Sequence, residues 1–175
     1  TQCPAKINLY LKILDKREDG YHNIDTSFQL IDFADEMTFE ISEKTISINS
    51  NKDFLCGKNN TIYKSAEKIK QKFGIKNGVK INIEKKIPFG AGLGGGSSNA
   101  ASTIVALNNL WDLKIDTSDL IDIAKSIGAD VPFFIYGKNS IGGGIGEKLK
   151  FTDSIKDNLL LIQPDIHNST KDMFN

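Results

Sequence analysis

Apolar and polar residues alternate strictly at the start of the chain. Over residues 4–14, Ile7, Leu9, Leu11 and Ile13 fall on one face and Lys6, Asn8, Tyr10 and Lys12 on the other. Successive side chains of a strand point to opposite faces, so this pattern predicts a half-buried β-strand. Asp19-Gly20 marks a turn, and residues 24–33 read as the returning strand. Residues 36–41 and 45–49 predict two further short strands, and 51–60 a polar loop. The period then changes. Ile62, Ala66, Ile69 and Phe73 recur at helical steps, predicting a helix over 61–73 that ends at Gly74, Asn77 and Gly78. Residues 79–84 alternate again as a strand.

The second half of the chain is organised around a glycine run. Residues 88–98 are Pro-Phe-Gly-Ala-Gly-Leu-Gly-Gly-Gly-Ser-Ser, with five glycines at 90, 92, 94, 95 and 96. A helical pattern follows at once through Ala100, Ala101, Ile104, Val105, Leu107 and Trp111, and Ser97, Ser98 and Asn99 are all N-cap residue types. A second helix is expected over 116–128, capped by Thr117 or Ser118. It stops at Gly128-Ala-Asp-Val-Pro132, because Pro132 disfavours helical backbone at Val131. Asp130 is therefore expected at a chain turn before the apolar run 131–136. Residues 140–147 form another glycine-rich, flexible run suited to a close approach of two backbones. Residues 159–163 read as a buried strand, and 168–175 as the start of a helix.

The glycine run carries the clearest chemistry. Glycines let the backbone pass close to a ligand and turn its N–H groups inward. A helix N-terminus adds unpaired donors and the positive end of a dipole. Together they predict an anion cradle, most naturally for a nucleotide phosphate. Gly90-Ala-Gly92-Leu-Gly94-Gly95 also satisfies the dinucleotide pattern, but so many glycines satisfy many patterns. Lys85-Lys86-Ile87-Pro88 intervenes after the strand, where that fingerprint wants the loop directly on the strand end. No Gly-Lys-Ser/Thr follows, so it is not a Walker A loop either. Other residues are ambiguous when read singly. Lys6 and Asn8 fit a solvated strand face, Tyr21-His22 an incidental exposed pair, Asp130 a turn, and Lys85 and Lys86 either exposed surface or electrostatic help to a nucleotide.

Composition narrows the class without choosing a function. The 175 residues are 39% hydrophobic and 25% charged, and the 22 basic and 22 acidic side chains cancel, as in a soluble globular protein. No basic stripe suggests nucleic acid and no charge imbalance a membrane surface. Apolar runs are too short to span a bilayer. Cys3 and Cys56 have no metal-ligand spacing and suggest no disulfide framework. A cytoplasmic protein is expected, with oligomeric state left open.

Taken together and in order, these pieces resemble the GHMP kinases (galactose, homoserine, mevalonate and phosphomevalonate kinases). Residues 88–101 are similar to the family's second motif. Ala5-Lys-Ile-Asn-Leu-Tyr-Leu, Asp19-Gly-Tyr-His, Phe28-Gln, Gly128-Ala-Asp-Val-Pro and Gly144-Ile-Gly-Glu point to the branch that acts on a cytidylyl polyol. The resemblance implies an α/β (α+β) fold, the GHMP N-terminal domain (ribosomal protein S5 domain 2-like). It also implies a left-handed βαβ crossover, against the usual right-handed rule. It implies a domain over 1–157, the start of a second α+β domain over 158–175, and a third Gly/Ser-rich motif beyond. That motif is absent here, so the 175-residue chain is expected to be weak or inactive alone.

The implied reaction is ATP-dependent phosphorylation of the 2-hydroxyl of 4-diphosphocytidyl-2-C-methyl-D-erythritol, in non-mevalonate isoprenoid biosynthesis. Carried over by motif, Lys6 and Asp130 are the catalytic pair. Pro88, Phe89, Gly90, Ala91, Gly92, Leu93, Gly94, Gly95, Gly96, Ser97 and Ser98 bind ATP, with Asn60 and Lys85 on the nucleotide side. Asn8, Tyr21, His22, Phe28, Thr170 and Phe174 bind substrate, with the cytosine between Tyr21 and Phe174. Mg²⁺ is expected to arrive with ATP, without a dedicated protein cage. Another GHMP alcohol kinase and a non-catalytic nucleotide-binding module are the competing expectations.

Overall fold

A computed structural model describes residues 1–155 and 157–163. A six-stranded sheet is backed by four helices. Strand β1 (Gln2–Lys16) and strand β2 (His22–Ser42) form a long antiparallel hairpin. The two segments expected as separate strands at 24–33 and 36–41 are one continuous element. Its length lets it serve several partners. Along one edge it pairs with β1. Along the other, its C-terminal half pairs antiparallel with β4 (Gly78–Glu84), and Thr26–Phe28 pair with β5 (Ser140–Gly143). Strand β6 (Lys148–Phe151) extends the sheet beyond β5.

Strand β3 (Ile46–Ser50) runs parallel to β4, and α1 (Thr61–Lys72) joins them. The three form a βαβ unit. Helix α1 forms as its apolar period predicts: Ile62, Ala66 and Ile69 are buried on one face. Asn60 caps it by accepting the Tyr63 N–H at 2.8 Å. In β4 the period of two is just as clear, with Val79, Ile81 and Ile83 inside and Lys80 and Glu84 outside.

The core lies between the sheet and helix α2 (Gly95–Leu110). Ala100, Ala101, Ile104 and Leu107 meet Met37, Val79, Ile81 and Ile83. Helices α3 (Thr117–Lys125) and α4 (Val131–Tyr136) close it on the far side. The cap of α3 is Asp116, not Thr117 or Ser118. Its carboxylate accepts the Asp119 N–H at 2.9 Å, which starts the helix one residue earlier than a Thr117 cap would. The apolar run 131–136 is itself helical. Pro132 sits in the first turn, where a missing N–H costs no hydrogen bond, so the bias against helix at Val131 is overridden.

Two expectations about faces need correction. The hairpin register shifts between Asn8 and Tyr10, leaving Leu9 as an extra residue. A bulge breaks the period of two; from Leu9 to Lys16 both faces of the strand are exposed, Leu11, Ile13 and Leu14 included, while Lys6, before the bulge, is buried. Residues 159–163 form no strand, and Leu159, Leu160, Leu161 and Ile162 are exposed. The glycine-rich run 140–147 is not a loose loop, because it holds β5 and the turn that follows it.

Candidate active site

Helix α2 begins inside the glycine run, earlier than the serines suggested. Its N-cap is Gly94, in left-handed backbone and without a capping side chain, and the first intrahelical bond runs from the Ser98 N–H to Gly94 O at 2.9 Å. The first-turn N–H groups of Gly95, Gly96 and Ser97 therefore have no partner within the helix. No side chain covers them at the cap position, as a serine cap would. Gly90, Gly92 and Gly94 have φ of 71°, 72° and 69°. At Gly94 the glycine is doubly required: an added Cβ would lie 2.8 Å from Phe134 and 3.0 Å from Lys6 Cγ. Ser98 points inward, and its buried hydroxyl has no hydrogen-bond partner among the described residues.

Beside this cradle is a cavity of about 710 Å³. Lys6, Asn8, Phe28, Asn60, Lys85, Asp130 and the stretch Pro88–Ser97 all line it, although they come from distant parts of the chain. Leu11 lines it too, because the β1 bulge brings Leu11 rather than Tyr10 to the side of Lys6 and Asn8. Among the described residues that line it, Asp130 is the only acid.

Lys6 is the centre of the polar network. Its Nζ donates to Asn8 Oδ1 at 2.6 Å, lies 3.8 Å from Asp130 Oδ2, and stands 5.3 Å from the centroid of the Phe28 ring. Asn8 Nδ2 donates to Thr26 Oγ1 at 2.7 Å, and that hydroxyl donates to Tyr10 O at 2.6 Å. The amide is thereby oriented with its oxygen toward Lys6. Burial lowers the Lys6 pKa from its ordinary value, and the Asp130 charge pulls the other way. The Lys6 N–H donates to Leu93 O at 2.9 Å, which ties β1 directly to the glycine loop. Asp130 occupies the N-cap position of α4 and is about one-third exposed, within reach of a ligand in the cavity.

Several expected residues have other partners. Lys85 is buried and its ammonium is paired with Asp35, while Lys86 pairs outside with Glu36 at 2.6 Å. Asn60 Nδ2 donates to the carbonyls of Leu55 and Gly57, so its amide holds the 53–60 loop as well as capping α1. Tyr21 and His22 lie at the turn end of the hairpin, outside the cavity lining, and Tyr21 is exposed. Thr170 and Phe174 lie outside the described residues.

Sequence reasoning missed Phe54, whose ring meets Phe89 edge-on at 5.3 Å between centroids at the cavity wall. The signal was present as Phe54-Leu55, an apolar pair inside a polar loop. It also missed Asp35, which looks like any strand acid in sequence.

A bulged hairpin, a parallel βαβ unit and a glycine loop opening a buried helix, with a lysine–aspartate pair beside it, define the class. Residues 60–138 match the GHMP kinases N terminal domain. The chain has the fold of the N-terminal domain of the GHMP kinases. Within that family it is similar to the 4-diphosphocytidyl-2-C-methyl-D-erythritol kinase of Francisella tularensis, at 46% identity over 172 residues, covering 97% of this chain and 62% of that protein. A crystal structure of 4-(cytidine 5'-diphospho)-2C-methyl-D-erythritol kinase matches with a TM-score of 0.75 at 39% identity, covering 87% of this chain and 54% of that one. Homoserine kinase from Cytophaga hutchinsonii shares the fold, with a TM-score of 0.61 at 22% identity over 86% of this chain and 52% of its own. The chain thus spans less than two thirds of the length of these relatives.

Proposed function

We propose that the protein is an ATP-dependent kinase that phosphorylates the 2-hydroxyl of 4-diphosphocytidyl-2-C-methyl-D-erythritol, a step of non-mevalonate isoprenoid biosynthesis in the cytoplasm. The observation that carries this reading is the Lys6–Asp130 pair at 3.8 Å, in one cavity with the glycine cradle. The names of relatives that match nearly the whole chain support the choice of alcohol.

In this reading the free N–H groups of Gly95, Gly96 and Ser97 bind the ATP phosphates, within the loop from Pro88 to Ser98. Asn60 and Lys85 stand on the nucleotide side. The substrate hydroxyl sits between Asp130 and Lys6. Asp130 orients it and accepts its proton as its oxygen bonds to the γ-phosphorus and the bond to the β–γ bridging oxygen breaks, releasing ADP. The Lys6 ammonium stabilises the charge that develops on the transferred group. Asn8 and Phe28 support Lys6 and contact the substrate, while Tyr21, His22, Thr170 and Phe174 take the cytidylyl end. A single acid cannot cage a divalent ion, so Mg²⁺ comes bound to the ATP phosphates and neutralises their charge.

The test is ADP release by the whole protein with ATP, Mg²⁺ and a panel of the cytidylyl alcohol, mevalonate, homoserine and galactose, beside the Asp130→Asn variant. Turnover confined to the cytidylyl alcohol, lower by about 10² or more in the variant, is the expected result. Turnover of another alcohol would change the substrate. ATP binding without any turnover would leave a nucleotide-binding module.

A further inference from the structure

We propose that Asp35 is a positioning residue for the phosphate cradle, with one buried carboxylate pinning both ends of the glycine loop in the geometry that binds the nucleotide. The proposal rests on the nucleotide reading above. Asp35 lies on β2, is completely buried and does not line the cavity, so any effect on a ligand passes through its partners.

Those partners come from both sides of the loop. On the strand side, Asp35 Oδ1 accepts the N–H groups of Lys86 and Ile87, each at 2.8 Å, and Oδ2 takes the Lys85 ammonium. On the helix side, Asn99 Nδ2 donates to the same Oδ2 at 2.9 Å. Residues 88–94 between them make the turn. A carboxylate with four donors from two segments fixes the separation and tilt of those segments far better than a single contact.

Charge gives the arrangement a second role. Lys85 Nζ lies only 2.8 Å from where a Cβ on Gly95 would sit, directly behind the first turn of α2. An unpaired ammonium there would be buried at the positive end of a helix, which is unfavourable on both counts. Asp35 neutralises it, so Lys85 can fill the space under Gly95 and support the N–H groups that face the cavity. Donors held in advance bind an anion without a cost of reorganisation.

The experiment compares Asp35→Asn and Asn99→Ala with the parent in the whole protein. Asn at 35 keeps an acceptor for the two backbone N–H groups but not the charge. The second variant removes only the helix-side strut. Calorimetry measures ATP and, separately, cytidine 5'-diphosphate as a probe of the other substrate, and hydrogen exchange follows the amides of residues 88–97. Each folded variant is expected to bind ATP about tenfold more weakly, to hold the cytidine probe within about twofold, and to exchange the 88–97 amides faster while β4 stays protected.

Unchanged ATP affinity, or equal loss of both ligands in step with a lowered melting temperature, would overturn the proposal in favour of a purely structural ion pair. Should Asp35→Asn fail to fold, Asn99→Ala decides the matter by the same readouts. Should the parent bind no ATP, the nucleotide reading fails, and unaltered exchange at 88–97 in the variants would separately refute the anchor.

Discussion

Lys6 Nζ and Asp130 Oδ2 stand 3.8 Å apart, too far for a strong hydrogen bond and close enough for both to touch one hydroxyl oxygen. The two residues come from opposite ends of the domain. One lies on β1 and the other at the start of α4, and both reach the cavity beside the glycine cradle. In the proposed reaction the substrate hydroxyl sits between them. Replacing Lys6 by Met should lower kcat by about 10²–10³, the usual loss for one electrostatic stabiliser. The Lys6→Met/Asp130→Asn double variant should lose much less than the product of the two single losses, because the pair acts as a unit. Steady-state turnover of the four proteins checks both statements.

Burial of Lys6 gives a pH signature. Desolvation lowers its folded-state pKa from the ordinary 10.5, so kcat/KM should fall on the alkaline side before an ordinary lysine would titrate. The residual activity of Lys6→Met should lack that limb. For stability, the unfolded state holds the Lys6 proton to higher pH than the folded state does. Unfolding free energy attributable to this residue therefore rises as pH climbs from the lowered value toward 10.5. Denaturant titrations of parent and Lys6→Met should show the parent gaining on the variant across that window.

Two glycines of one loop should respond differently to alanine. Gly94 has φ 69° and its Cβ would press on Phe134 and Lys6, whereas Gly92 has φ 72° with nothing within 4 Å. Left-handed backbone alone costs about 1–2 kcal/mol, the expected effect of Gly92→Ala on unfolding free energy. Gly94→Ala adds overpacking of about 1–3 kcal/mol and should also displace Lys6. Chemical denaturation ranks the two, and activity should fall further for Gly94→Ala.

The two thiols should react in sequence. Cys56 is exposed, while Cys3 is buried and its pKa is raised chiefly by desolvation. The thiolate is the reactive form, so a thiol reagent should label one cysteine per native chain and the second only on unfolding. Peptide mapping should place the first label on Cys56.

Much of this protein could be read locally. The alternation of Val79, Ile81 and Ile83, the helical period of Ile62, Ala66 and Ile69, and the glycine run before an apolar helix each encode their element through neighbours within a few residues. Lys6, Asn8, Phe28 and Asp130, expected together from the resemblance of their short motifs, line one cavity in the fold. Helix α2 starts earlier than its serines imply because three left-handed glycines shape the loop and no side chain caps the helix. In β1 the bulge at Leu9 reverses the period, and beyond it both faces are exposed, which local alternation does not encode.

What only the tertiary structure decided are the partnerships between distant segments. Asp35 meets Lys85 across 50 residues and Asn99 across 64, and Lys85 looks like a free surface cation until that partner is known. The length of β2 lets it serve β1, β4 and β5 together, which no local pattern states. The physical reason is the same in each case. Periodicity and capping depend on neighbours along the chain and are written in the sequence, whereas burial, charge pairing and ligand geometry depend on which surfaces meet when the chain closes.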